Sequence, residues 1–143
     1  MSAEGMESRI INPKRMRQLI DFSGLELDNG IFPTDIDGFI EYHNSEYILI
    51  EVKHIKASVP HGQRLALQRT VDVFAASGKN AVAIICEHEI DDVKKNIIAA
   101  ECEVREIYPG SEHRWRPPDK PMNVREAVDI FHDQSKRKRG ECH

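Results

Sequence analysis

The fold of this chain depends on the stretch Tyr47-Ile48-Leu49-Ile50-Glu51-Val52-Lys53, in which an apolar run leads directly into two charged residues. Isoleucine, leucine, valine and tyrosine over these positions predict a β-strand. Side chains of a strand alternate between its two faces, so Glu51 and Lys53 share one face while Val52 lies on the other. Because both faces are apolar as far as Ile50, the strand is expected at the centre of a sheet covered on both sides.

A second strand is predicted immediately before this one, and further elements follow it. β-Forming residues run over Ile36–Tyr42, and the polar break His43-Asn44-Ser45 predicts that the two strands form a hairpin. The spacing of apolar residues and the Gly and Pro breaks predict helices over Pro13–Phe22, Gln63–Ala76 and Ile90–Ala99, strands over Asn80–Cys86 and Cys102–Tyr108, and a last helix capped by Asn123. The order α-β-β-α-β, with C-terminal additions, predicts an α/β domain on a central mixed β-sheet flanked by helices.

The length and composition suit one compact domain. The chain has 143 residues, of which 40% are hydrophobic, and domains commonly contain about 100–150 residues. We expect a single domain over residues 1–135 and a basic, flexible tail over residues 136–143. The three cysteines show no disulfide pattern, no apolar run approaches the roughly 20 residues of a membrane span, and the N-terminus does not resemble a signal peptide. These features predict a cytoplasmic protein with no membrane partner.

The net charge of −4 by itself argues against a nucleic-acid partner. The charge is unevenly distributed, however. Residues 1–51 carry a net charge of −6 and residues 81–112 carry −5, whereas residues 52–80 carry +4 and residues 113–143 carry +3. Positive charge therefore begins directly after Glu51, and the overall sum says little about partners.

The charged end of the central strand is where chemistry is expected. Charges at the end of a buried strand are costly unless they are paired or exposed at a site. The predicted hairpin brings Asp37 near Glu51, and converging carboxylates repel each other unless a cation lies between them. Carboxylate oxygens favour hard cations such as Mg²⁺ or Mn²⁺. Lys53 could orient a water or contact a phosphate oxygen, as metal-assisted hydrolysis of a phosphodiester requires.

In these residues the chain resembles the PD-(D/E)xK nuclease superfamily, nearest to its VRR-NUC and Holliday-junction-resolvase-like branches. The superfamily pattern is an acidic residue at the start of one strand, Glu-x-Lys on the next strand, and then a helix that often begins near a glutamine. Asp37 matches the first acid, Glu51 and Lys53 match Glu-x-Lys, and Gln63 stands at the start of the following helix. The resemblance covers residues 31–74 and implies a restriction-endonuclease-like core.

One departure from the pattern leaves the first acid open between two aspartates. The proline and the acid of the superfamily pattern are adjacent, whereas Thr34 follows Pro33 here. Asp35 directly follows Thr34 and is therefore an alternative to Asp37.

The resemblance implies a Mg²⁺-dependent endonuclease, with Mn²⁺ as a possible substitute, that hydrolyses DNA phosphodiester bonds. The implied metal ligands are Asp37, or Asp35 in its place, with Glu51 and the main-chain carbonyl of Val52. Lys53 would position the attacking water and stabilise the transition state. Gln63 would form a hydrogen bond with that water, the scissile phosphate or Lys53.

The basic stretch beyond Glu51 is expected to contact the DNA backbone. The residues concerned are Lys56, Arg64 and Arg69, with His54 and His61 flanking the site. Because one small domain must carry both catalysis and recognition, we expect a homodimer that grips both strands. By analogy, the format suits a phage or prophage nuclease, or an enzyme of DNA repair or recombination.

Other interpretations of the same residues remain open. The fold could serve as a catalytically inactive DNA-binding or protein-interaction module, or the charges could be a solvated hairpin surface in a protein that is not a nuclease. A zinc site built from Cys86, His88, Cys102 and His113 is disfavoured because no CxxC or HxxxH spacing occurs.

Overall fold

The computed structural model describes residues 20–140, and its internal contacts divide the chain into two units, Met1–Pro33 and Thr34–His143. In the first unit, Leu27 and Ile31 form an antiparallel bridge around the turn Asp28–Gly30. Most of the predicted helix Pro13–Phe22 lies outside the described residues, and residues 20–22 are not helical. The single domain predicted over residues 1–135 therefore spans both units.

The second unit contains a four-stranded mixed sheet and two long helices. The strands are β1 (Gly38–Tyr42), β2 (Glu46–His54), β3 (Asn80–His88) and β4 (Glu103–Pro109), and the helices are α1 (His61–Ala76) and α2 (Val124–Lys138). The strand order is β1-β2-β3-β4. β1 is antiparallel to β2, β3 is parallel to β2 through the α1 crossover, and β4 is antiparallel to β3. Within the described residues, no helix is long and apolar enough to cross a membrane.

The two faces of the sheet are covered by different helices. On one face, Leu49 and its neighbours pack against Leu67 and Val71 of α1. On the other face, Ile48 and Ile50 belong to a buried cluster that includes Val124 and Ala127 of α2. The alternation predicted for the central strand is therefore confirmed, as is an α/β fold on a mixed sheet. Glu51 and Lys53 lie on the strand positions that continue the α1 face.

Local sequence signals explain where two of these elements begin and end. His43 and Asn44 adopt positive φ angles of 49° and 54°, a conformation that turns β1 tightly into β2. At the start of α2, the Asn123 side chain accepts a hydrogen bond from the Glu126 N–H, and the Glu126 carboxylate accepts one from the Asn123 N–H. This reciprocal capping box confirms the predicted cap.

The prediction of a helix over Ile90–Ala99 is wrong. This segment is a turn followed by irregular chain and a single 3₁₀ turn, Ala99–Glu101. The Asp92 side chain accepts a hydrogen bond from the Lys94 N–H at 2.9 Å, a local turn that competes with helix formation. Val93 is 97% exposed, so the apolar spacing that suggested a helix has no surface to bury.

The first residues of the segment predicted as a basic, flexible tail belong to α2. α2 continues through Lys138, and Arg139 at its C-cap donates to the buried carboxylate of Glu46 at 2.6 Å. Glu46 also accepts a hydrogen bond from His132, at 2.8 Å. α2 and its C-cap therefore cover residues 136–139 of the predicted tail, where Arg139 contacts a buried anion at the start of β2, and the flexibility of the segment stays a prediction.

Candidate functional site

The hairpin register brings the first predicted acid to the central strand. Gly38 pairs with Ile50, so Asp37, one residue earlier, comes opposite Glu51. The Asp37 carboxylate accepts a hydrogen bond from the Val52 N–H at 2.8 Å, just past the last β1–β2 pair. Asp37 therefore binds the main chain of the residue whose carbonyl is a predicted metal ligand. Asp35 is exposed and lies two residues farther from the ladder, so the geometry favours Asp37 as the acid beside Glu51.

Glu51 is a buried acid whose pKa is raised. Its side chain is 3% exposed. Its pKa is raised to about 7, first by burial and then by the neighbouring Asp37 carboxyl, whereas Lys53 opposes the rise. The two carboxyl groups are thus close enough for the charge on one to disfavour ionisation of the other. Such proximity is unfavourable between two anions and becomes favourable when a cation binds both.

Lys53 lies beside one oxygen of the Glu51 carboxylate but does not contact the other. The Lys53 ammonium lies 3.5 Å from Glu51 Oε1, and the lysine side chain is 21% exposed. The other oxygen, Glu51 Oε2, is buried and has no hydrogen-bond partner within residues 20–140. An orphaned buried carboxylate oxygen is costly in the folded protein. A bound cation would satisfy it.

Gln63 lies in the first turn of α1, the helix that packs on the same face of the sheet as Glu51. Its Oε1 is the second buried side-chain oxygen that has no hydrogen-bond partner among the described residues. An amide oxygen accepts hydrogen bonds from a water or an ammonium group. The sequence pattern thus selected Glu51 and Gln63, each of which has a buried oxygen without a hydrogen-bond partner in the described part of the chain.

The residues present fit a hard divalent cation, held by a small set of ligands. In the part of the chain that the structure describes, no three His, Cys, Asp or Glu side chains converge as a metal centre. The available ligands are two carboxylates, Asp37 and Glu51, and the Val52 carbonyl, with the remaining positions left to water. Mg²⁺ sites are commonly built from one or two carboxylates with several waters.

The residues predicted to contact DNA fall into two groups. Lys56, His61 and Arg69 are exposed, and no ion pair occupies these side chains within residues 20–140. Arg64 instead donates to Glu106 at 2.7 Å and lies 4.8 Å above the Trp115 ring, so it ties α1 to β4. His54 forms a 2.8 Å contact with the exposed Asp91.

One supporting residue was missed by sequence reasoning. Arg105 lies at the irregularity between β3 and β4 and donates to Glu87 at 2.6 Å. It also donates to the main-chain carbonyls of His54 and Ala57, at 3.3 and 2.9 Å. Arg105 therefore fixes the chain just after Lys53. No local signal could have revealed it, because its partners are 18 to 51 residues away in sequence.

The raised pKa of Glu51 predicts how the metal-free protein responds to pH. Between pH 4.5 and about 7, the folded state keeps a proton that the unfolded chain releases, so stability should fall as the pH rises. The loss is at most about 3 kcal/mol. Glu51→Gln should remove this dependence and be more stable than the wild type at pH 8. Urea unfolding with a chelator between pH 4 and 8 measures the effect.

The exposed Glu89 supplies the control for this experiment. Glu89→Gln should follow the wild-type pH profile, because Glu89 is an exposed residue outside the Glu51 site. Parallel profiles for Glu51→Gln and the wild type would show that Glu51 titrates normally in the folded protein.

Comparisons of this chain with protein-family models, with curated proteins and with solved structures found no match. The case for a function therefore depends on the geometry of the site.

Proposed function

We propose that this protein is a metal-dependent endonuclease that hydrolyses DNA phosphodiester bonds at an Asp37/Glu51/Lys53 site, as the resemblance to PD-(D/E)xK nucleases implies. The observation that carries the proposal is the arrangement around Glu51. Two carboxyl groups are held together although they repel each other, a lysine stands beside them, and one buried carboxylate oxygen has no hydrogen-bond partner among residues 20–140. A purely structural ion pair needs one acid and one base.

The chemistry follows from the charges of these residues. Asp37, Glu51 and the Val52 carbonyl would hold Mg²⁺ or Mn²⁺. When bound, the ion supplies an acidified water and neutralises charge on the phosphate. Lys53 would orient the attacking water and interact with the negative charge that develops on a phosphate oxygen. Gln63 Oε1 is free to accept a hydrogen bond from that water or from Lys53.

The surroundings of the site support a polyanionic substrate. Residues 52–80 carry a net charge of +4, and the exposed Lys56 and Arg69 can neutralise phosphates along the DNA. Contacts of this kind make binding strongly dependent on salt. Arg64, which the structure pairs with Glu106, is expected to contribute less to DNA binding than Lys56 or Arg69.

Metal binding provides the most direct test. We expect isothermal calorimetry to detect Mn²⁺ binding in the wild type and in Glu89→Gln, and no binding in Glu51→Gln, which lacks the carboxylate charge. The same proteins should be incubated with supercoiled plasmid in Mg²⁺, in Mn²⁺ and with a chelator. Nicking that requires the metal and the Glu51 carboxylate would support the proposal.

Two other outcomes would assign the protein differently. Retention of DNA on a gel without metal binding or nicking would indicate the inactive DNA-binding module. Absence of metal binding, nicking and DNA binding would show that the resemblance does not extend to function.

The homodimer is a further part of the proposal, and sedimentation velocity with and without DNA measures it. The cytoplasmic location stays a prediction.

A further inference from the structure

We propose that Phe39 is a stacking platform for an unpaired base, so that the substrate is DNA with unpaired nucleotides at the cleavage position. This inference depends on the proposed nuclease site and specifies its substrate class. It starts from the location of Phe39, two residues after Asp37. Two residues of chain span at most about 7 Å, which is roughly the length of one nucleotide in an extended strand. A base stacked on Phe39 would therefore adjoin the phosphate at the site.

The ring of Phe39 lies on the catalytic face of the sheet. Phe39 pairs with Leu49 of β2, and Leu49 is buried beneath α1. Its ring centroid lies 6.2 Å from that of Tyr47 and 6.5 Å from that of Phe74, both on this face. Glu51 follows Leu49 by two residues on the same strand and so shares this face. The aromatic ring and the carboxylate pair are neighbours along one surface.

The Phe39 ring packs against two other rings and yet is about half exposed. Tyr47 and Phe74 stack with their centroids 4.1 Å apart and their planes within 7° of parallel, and they support one side of the Phe39 ring. Phe39 nevertheless remains 52% exposed to water. A ring that already packs against its neighbours loses less conformational entropy when a ligand stacks on it than a ring without such contacts. Its exposed surface gains hydrophobic and π-stacking contact only when a flat, apolar partner covers it.

An unpaired base is the partner that suits this position. Bases within a duplex are stacked on one another and cannot present a face to a side chain without unstacking. Base–aromatic stacking contributes about 1–3 kcal/mol per base in proteins that bind single strands. The basic charge of residues 52–80 and Lys53 beside Glu51 would hold the backbone of the same strand. Phosphate contacts and base stacking would then act on adjacent groups of one nucleotide chain.

The test measures the binding of a fluorescein-labelled, single-stranded DNA 12-mer by anisotropy, in Ca²⁺ to avoid cleavage. Phe39→Leu retains an apolar side chain but removes the ring, and it should weaken binding about tenfold, which corresponds to about 1.4 kcal/mol. Phe39→Trp should bind at least as tightly as the wild type. Ile40→Ala is the matched control, because Ile40 is the next residue of the same strand, points to the opposite face and is also exposed. It should bind like the wild type.

A second arm identifies the base. Oligonucleotides with a single abasic position at each site in turn should include one that binds the wild type about tenfold more weakly. If Phe39 stacks on that base, Phe39→Leu should show no further loss with that oligonucleotide, since the same contact is already missing. Wild-type affinity of Phe39→Leu, or losses that add, would overturn the stacking proposal.

These results separate the platform from the nuclease itself. If the wild type nicks plasmid with Mg²⁺ but Phe39→Leu binds single strands normally, the endonuclease stands and the platform fails. If the affinity losses from Phe39→Leu and from the abasic position do not add, but no DNA is cleaved with Mg²⁺ or Mn²⁺, the platform stands and the catalytic proposal fails.

Discussion

Lys53→Ala is expected to lower the single-turnover rate of DNA cleavage by at least about 10²–10³-fold, the usual loss when one preorganised electrostatic group is removed from an active site. Lys53 lies one residue before the end of β2 and its side chain is 21% exposed, so its removal leaves the apolar core intact. The Lys53–Glu51 contact is long, at 3.5 Å, and the raised pKa of Glu51, about 7, lets that carboxyl take up a proton when the lysine is removed, so the loss of stability should be about 1 kcal/mol or less. The catalytic loss should therefore far exceed any change in folding.

The mechanism of this loss can be checked by separating binding from chemistry. DNA affinity in Ca²⁺ should fall only modestly, because exposed basic residues such as Lys56 and Arg69 remain. Lys94→Ala removes an exposed lysine from the loop between β3 and β4 and should cleave at the wild-type rate. Quenched-flow cleavage of a labelled oligonucleotide with saturating Mg²⁺ measures the rates. Unchanged cleavage in Lys53→Ala would rule out the proposed site.

Arg139→Ala is expected to give the largest loss of stability, about 3 kcal/mol in the free energy of unfolding. The reason is the burial of its partner: Glu46 is 1% exposed, and its carboxylate accepts 2.6 and 2.8 Å contacts from Arg139 and His132. Removal of the guanidinium leaves a buried anion with one cation fewer. Arg139→Lys keeps a positive charge and should fall between Arg139→Ala and the wild type.

The neighbouring arginine makes this prediction specific. Arg137 lies in the last turn of the same helix and is exposed, so Arg137→Ala should change stability by less than about 0.5 kcal/mol. Urea unfolding monitored by circular dichroism measures both variants. Equal, small effects of the two alanine substitutions would mean that the end of α2 behaves as the flexible tail first expected.

Much of the fold followed from local patterns in the sequence. The run Tyr47–Lys53 is β2, and its alternation identified which side chains face α1 and which face α2. Asn123 and Glu126 marked the start of α2 through a cap that involves residues only three apart. These signals succeeded because the interactions that produce them are formed within one element and its immediate neighbours.

The prediction over Ile90–Ala99 failed for the complementary reason. Two apolar residues at helical spacing indicate a helix only if a surface is available to cover them, and Val93 is almost fully exposed. The turn made by Asp92 is a short-range alternative to the helix. It forms from a hydrogen bond between neighbouring residues and needs no packing partner. Spacing alone could not decide between them.

For the site itself, the sequence by itself determined the identity and strand positions of Glu51 and Lys53, because side-chain alternation follows from the geometry of one strand. Only the tertiary structure decided that Asp37 rather than Asp35 lies opposite Glu51, that Arg64 is paired with Glu106, and that Arg105 fixes the chain after β2. Strand register, long-range ion pairs and burial depend on how distant segments pack together. The raised pKa of Glu51 and the unpartnered oxygens of Glu51 and Gln63 arise from that packing, which no local pattern encodes.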